Sequence, residues 1–247
     1  MPKDTAPGRG SPPPSPGPER PQPSLPGPLN PLPPVVVALF LIIAGVEALL
    51  GLGARGIVGG PFAAGWRIEA IERFSFFPQL LARDLELGVP SADTVMRLFA
   101  YPFVQASFTQ ALFVGVFLLA LGKLVGEVMG TLAFLVVFFG SAIGGALFYA
   151  LVLGAEFPVI GGFPAVYGLI GGYTLILWVS LGRAGQNQYR AFTLIGLLLL
   201  VQLVFGLLFG ARTDWVADLG GFLSGFVLSI LAAPGAVRAI LRRIRRG

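Results

Sequence analysis

After Pro34 the chain runs VVVALFLIIAGVEALLGLG, residues 35–53, with Glu47 as its single charge. Comparable apolar runs occupy 105–125, 131–153, 164–181, 191–210 and 214–233. A hydrocarbon core about 30 Å thick is crossed by about 20 helical residues, and every backbone group inside it must be satisfied within the protein. Each run is continuously apolar, whereas the strands of a membrane barrel alternate in shorter segments. Only 12% of the 247 residues are charged, against about a quarter in ordinary soluble domains. The expected architecture is therefore an all-α membrane protein with six transmembrane helices and a membrane domain spanning 35–233. Broken helices in matching halves, the mark of a transporter, are absent from the pattern.

Around this domain lie three segments of other composition. Residues 1–34 carry 14 of the 21 prolines, with Gly and Ser between them, and read as a disordered, partly polyproline arm, either a tether or a ligand for a partner domain. The sparse charge and long apolar run after it do not fit a secretory signal. Residues 54–104 mix Trp66, Phe74, Phe76, Phe77 and Phe103 with Arg67, Glu69, Glu72, Arg73, Arg83 and Asp84, which suits an interfacial first loop of amphipathic helices or aromatic anchors. The tail, 234–247, holds Arg238, Arg242, Arg243, Arg245 and Arg246, placed to meet anionic headgroups; the net charge of +5 is a lipid signal and not a nucleic-acid one. Six spans put both termini on one side, where the loops carry Lys123, Arg183 and Arg190, so that side is expected to be cytoplasmic. The abundance of Gly, Ala, Pro and Arg suggests a GC-rich bacterial genome and hence an inner membrane.

The residue inventory limits chemistry. The chain has no Cys and no His, which removes disulfides, thiolate and imidazole metal ligands, and the commonest general base. No metal or cofactor is expected.

Several separated motifs nevertheless follow one pattern. Residues 161–173 read GGFPAVYGLIGGY, and 216–225 read VADLGGFLSG. Residues 97–105 read RLFAYPFVQ, and Gly122, Glu127 and Gly130 mark a turn after the second span. Together with the long first loop, these resemble the rhomboid family of intramembrane serine proteases over about residues 35–233. In active members the fourth span begins Gly-x-Ser-Gly, and the sixth carries a His ahead of a Gly-xxx-Gly face. The resemblance therefore puts Phe163 at the nucleophile position, Pro164 at the following glycine and Asp218 at the base. Positions near the oxyanion site fall on Gln110 and Val114. Gly168 and Gly172 on the fourth span and Gly221 and Gly225 on the sixth supply small-residue faces that let membrane helices approach closely.

The chemistry implied by the family is thus missing its parts. Phe163 cannot attack a carbonyl; Ser141, Thr174, Ser224 and Ser229 lie on other spans or deeper positions; and an aspartyl route would need a second carboxylate beside Asp218. Glu47 is the other acid well inside a span, read as a structural carboxylate facing Arg55 or a partner helix. An ionisable group within a span costs at least about 2.5 kcal/mol on insertion scales and by default marks a site, so Asp218 is the sharper candidate. Tyr167 is its expected partner, with Arg212 and Trp215 close in sequence. The expectation is a rhomboid-like pseudoprotease that binds membrane lipids and holds or escorts single-pass membrane proteins without cutting them. The alternatives are a serine-type endopeptidase by family default, or an accessory subunit of a membrane complex.

Overall fold

The computed structural model describes residues 31–154, 157–200 and 214–232. The arm up to residue 30, residues 201–210 of the expected fifth span, Arg212 and the Arg-rich tail lie outside the described residues. Those described from Leu32 onward belong to one compact unit. Its helices are α1 (Pro34–Ala54), α2 (Trp66–Phe74), α3 (Pro78–Leu87), α4 (Ala92–Ala100), α5 (Phe108–Met129), α6 (Thr131–Leu153), α7 (Phe163–Arg183), α8 (Gln188–Leu200) and α9 (Trp215–Ala232). Five of them, α1, α5, α6, α7 and α9, are long and apolar enough to cross a membrane; α8 is a shorter apolar helix that covers the first part of the expected fifth span. Among the described residues there are no strands, only an isolated bridge between Phe76 and Val159.

The ends of these helices follow local chemistry. Proline stands in the first turn of α1, α3 and α7, where its missing N–H is not needed. The second span starts at Phe108, three residues later than the apolar run suggests. Ser107 is extended (φ −154°, ψ 159°) and its hydroxyl accepts the Gln110 N–H at 3.2 Å, a side-chain cap that dictates where the helix can begin. In the first loop, α2 to α4 are short helices, as the mixed aromatic and charged pattern suggests. Arg97 ties α4 to the end of α2, donating to the Glu72 and Ser75 carbonyls at 2.8 and 3.0 Å and to Asp93 at 2.8 Å.

The central element is α7, buried without interruption from Pro164 to Gly172. Its closest neighbour is α9, and glycine makes that contact possible. A Cβ added at Gly225 would run into the backbone of Gly168, and one at Gly221 into the backbone of Pro164. A Cβ at Gly171 would stand 2.5 Å from the Phe222 carbonyl oxygen and 2.6 Å from the Phe226 nitrogen. Gly172 faces the Ser229 hydroxyl and Val125. On the outside, Leu41, Phe113, Leu132 and Val227 are more than 40% exposed, as side chains that face lipid are.

Candidate functional site

Two adjoining cavities lie where α5, α7 and α9 begin. The smaller, about 40 Å³, is lined by Gln110, Tyr149, Pro158, Val159, Ile160, Phe163, Pro164, Asp214, Ala217 and Asp218. The larger, an open cleft of about 510 Å³, shares Gln110, Pro158, Ile160, Phe163 and Asp214 and adds Ala106, Ser107, Thr109 and Phe113. Residues far apart in sequence, Gln110, Phe163, Pro164 and Asp218, therefore meet at one place. Val114 does not line either cavity; it is fully buried beneath Gly162, where an added Cβ would come within 2.7 Å of its Cγ1.

Phe163 opens α7, is half-buried and lines both cavities. Asp218 is 4% exposed and sits in the first turn of α9. A negative charge there faces the positive end of the helix dipole, a favourable term of about 0.3–1 kcal/mol and more when partly buried. The dipole offsets part of the cost of an acid there. Tyr167 and Tyr101 both lie within the field of Asp218. Burial, reinforced by that charge, pushes the Tyr101 phenol well above its ordinary range, so it stays a donor, to the Ala142 carbonyl at 2.6 Å. Trp215 is 45% exposed.

The backbone around Phe163 is held by groups that sequence reasoning missed. Gly161, at φ +92°, a conformation glycine adopts without strain, donates to the Tyr101 carbonyl at 3.2 Å. Gly162 donates to Gln105 Oε1 at 3.2 Å. The Gln110 amide donates to the Ile160 carbonyl at 3.1 Å while its Oε1 accepts from Ala106 N–H. Pro164 has no N–H to offer. An oxyanion site requires donors aimed at empty space, where charge will develop; the Gly161 and Gly162 N–H groups and one N–H of the Gln110 amide are already bonded within the protein, and Pro164 has no N–H.

The other hydroxyls are elsewhere. Ser141 and Ser229 are fully buried, against Gly168 and Gly172 respectively, with no hydrogen-bond partner among the described residues. Thr174 donates to the Ile170 carbonyl at 2.7 Å, and Ser224 packs on Gly144. Ser107 and Thr109, not singled out in the sequence, are the hydroxyls at the open cleft. Among the described residues no cluster of three acids, such as a metal ion would need, is present.

Glu47 is paired with Arg67 and not with Arg55. Both Arg67 terminal nitrogens reach its carboxylate, at 2.9 and 2.6 Å. Arg55, eight residues on, is about 12 Å further along the helix axis and exposed. Arg67 returns because the chain reverses after α1 and the Trp66 ring seats on Gly53 and Gly59, the latter left-handed at φ +84°.

Residues 92–235, more than half of the chain, match the Rhomboid domain. The match starts at α4, so α1 to α3 lie ahead of it. Similar proteins include rhomboid-like protease 1 of Toxoplasma gondii, 29% identical over 56% of this chain and 47% of its own length. Rhomboid-like protease 3 of the same organism is 32% identical over 51% of this chain and 47% of its own. The chain thus spans about half the length of the curated relatives it matches. A Rhomboid domain carried on a multi-pass bundle of apolar helices establishes that this chain belongs to the rhomboid family.

Proposed function

We propose that this protein is a pseudoprotease of its family, a membrane protein that holds other membrane proteins without cleaving them. The observation that carries this reading is the commitment of the donors around Phe163: Gly161 to Tyr101, Gly162 to Gln105, Gln110 to Ile160. Here the nucleophile and the imidazole base are both absent and three neighbouring N–H groups are turned to other partners, and each such group is worth orders of magnitude in rate. The cavity beside Asp218, at about 40 Å³, has room for about one to three waters. The adjoining cleft of about 510 Å³ is within the usual range for a ligand site, about 300–1,000 Å³. Its Phe113, Phe163, Pro158 and Ile160 offer an apolar wall, and Ser107, Thr109 and Gln110 offer polar groups, a combination suited to the outer end of a transmembrane segment.

The relatives' names favour proteolysis instead, and Ser107 and Thr109 lie in the same cleft as Asp214. Neither hydroxyl has an imidazole to activate it. The test is photo-crosslinking from position 163 in native membranes, with mass spectrometry of the adducts, beside a cleavage assay on a generic rhomboid substrate. Intact single-pass proteins among the adducts and an uncut substrate support holding. A cleaved product that disappears in Asp218→Asn or in Thr109→Val would overturn it, and a stable stoichiometric complex would instead mark an accessory subunit. The basic tail with Lys123, Arg183 and Arg190 favours a topology with both termini cytoplasmic; topology reporters fused at each terminus test it.

A further inference from the structure

One polar chain links the first transmembrane helix to the start of α7. Glu47 of α1 is buried, its side chain 7% exposed, and Arg67 of α2 is 21% exposed. Arg67 Nη1 forks between Glu47 Oε2 at 2.9 Å and the Gln105 carbonyl at 2.8 Å. Gln105, 1% exposed, uses its amide in turn: Nε2 donates to the Pro102 carbonyl at 2.8 Å and Oε1 accepts from Gly162 N–H at 3.2 Å. Gly162 is the residue before Phe163 and the N-cap of α7.

Packing alone does not call for this arrangement. A buried ion pair is often no more stabilising than apolar side chains of similar volume, and its best-attested use is to specify one register. The loop ahead of α7 needs such specification: it is short on helical hydrogen bonds and is pinned from outside. Val159 exchanges both backbone bonds with Phe76, at 2.9 and 3.2 Å, and Gly161 bonds Tyr101. Three of its tethers, from Phe76, Tyr101 and Gln105, come from the first loop and its junction with α5.

We propose that Arg67 is a positioning residue: through Gln105 it sets the seat of Gly162, and so the placement of the Phe163 ring across the cavities. Glu47 holds the Arg67 fork in orientation, and α2 becomes a lever on the site. This role holds whether or not the cleft receives a client.

The chain contains no Cys, so Phe163→Cys supplies a sole thiol whose alkylation rate in membranes reports local opening. Ser229→Cys, deep in α9, serves as a reporter of global loosening. Arg67→Met and Gln105→Met are each expected to speed labelling at 163 by about fivefold or more while leaving 229 within about twofold, because opening one segment need not open the others. Gln105→Met keeps the Glu47–Arg67 pair and the 105 carbonyl, so it remains informative if Arg67→Met does not fold. The exchange Glu47→Arg with Arg67→Glu restores an ion pair but sets a carboxylate against the Gln105 carbonyl. It is expected to recover thermal stability and leave position 163 exposed to the reagent. The proposal is overturned if labelling at 163 does not rise, if both reporters rise together, or if the exchange restores protection at 163.

Discussion

Replacing Gly171 by Ala adds one methyl to the most closely packed seam of the bundle. Its Cβ would lie 2.5 Å from the Phe222 carbonyl oxygen and 2.6 Å from the Phe226 nitrogen, both backbone atoms that cannot rotate away. Optimal separations between non-bonded heavy atoms are about 3.5–4.0 Å, so α7 and α9 must part by about 1 Å. A gap of that size forfeits about a quarter to a half of each dispersion well, of about 0.1–0.2 kcal/mol, over several dozen atom pairs along the seam. The loss comes to about 2 kcal/mol, in line with the 1–3 kcal/mol typical of overpacked cores. Alanine recovers up to about 1 kcal/mol of helix propensity over glycine, which leaves a net cost of about 1 kcal/mol or slightly more.

The control is Gly45, exposed on α1 with nothing within 4 Å of its added Cβ. Gly45→Ala keeps the propensity gain and meets no wall. Unfolding of the two variants in the same detergent should therefore differ by about 2 kcal/mol, or about 4–8 °C in Tm for a chain of this size. Equal midpoints for Gly171→Ala and Gly45→Ala would refute the claim that backbone contact, and not helix propensity, is why glycine stands at 171.

The remaining expectations concern the first loop and the site. Asp84 accepts from Thr94 and from Ser91 N–H, which hold its carboxyl below the usual range; a depressed folded-state value adds stability that is complete above about pH 4 and fades as pH falls further, so Asp84→Asn should flatten the acid limb of unfolding. An unchanged acid limb would count against it. Arg97→Met removes charged donors from two carbonyls and Asp93, at a cost of about 2–3 kcal/mol. Limited proteolysis within 54–104 should rise with it, and Arg97→Lys should recover less than half of the loss because an ammonium cannot fork to all three. Phe163→Ser combined with Asp218→His should remain inactive on a generic substrate, since each missing oxyanion donor costs about 10²–10³ in rate. Measurable turnover in that double variant would show that the donors beside position 163 are still available.

The bundle was legible in the sequence because the solvent of such a chain leaves few options: an apolar run of about 20 residues becomes a helix, and its ends follow from Pro, Ser and Gly. The Ser107 cap that delays α5 is a local signal of the same kind, visible to a reading that weighs caps against hydropathy. Gly171 is different. The spacing of Gly168 and Gly172 marks a small-residue stripe, yet Gly171 meets the α9 backbone directly, and only the helix rotation shows this. Asp218 was legible as a misplaced charge, but its tolerance depends on standing in the first turn of α9, whose start is obscure within a continuous apolar run.

The partners of polar groups were the least legible, for a geometric reason. Local pairs such as Asp93 with Arg97 follow from helical spacing, whereas Glu47 meets Arg67 and Gln105 meets Gly162 through chain reversals that no period encodes. Arg55 is the nearer cation in sequence, and it is the wrong one because the helix carries it about 12 Å along its axis while a glycine-lined turn brings Arg67 back. The same reversals consume the donors around Phe163. A substituted nucleophile is readable from one position; a site whose backbone N–H groups have been turned to other work is readable only from the bonds they make. The proposed departure from catalysis therefore rests on those bonds as well as on Phe163.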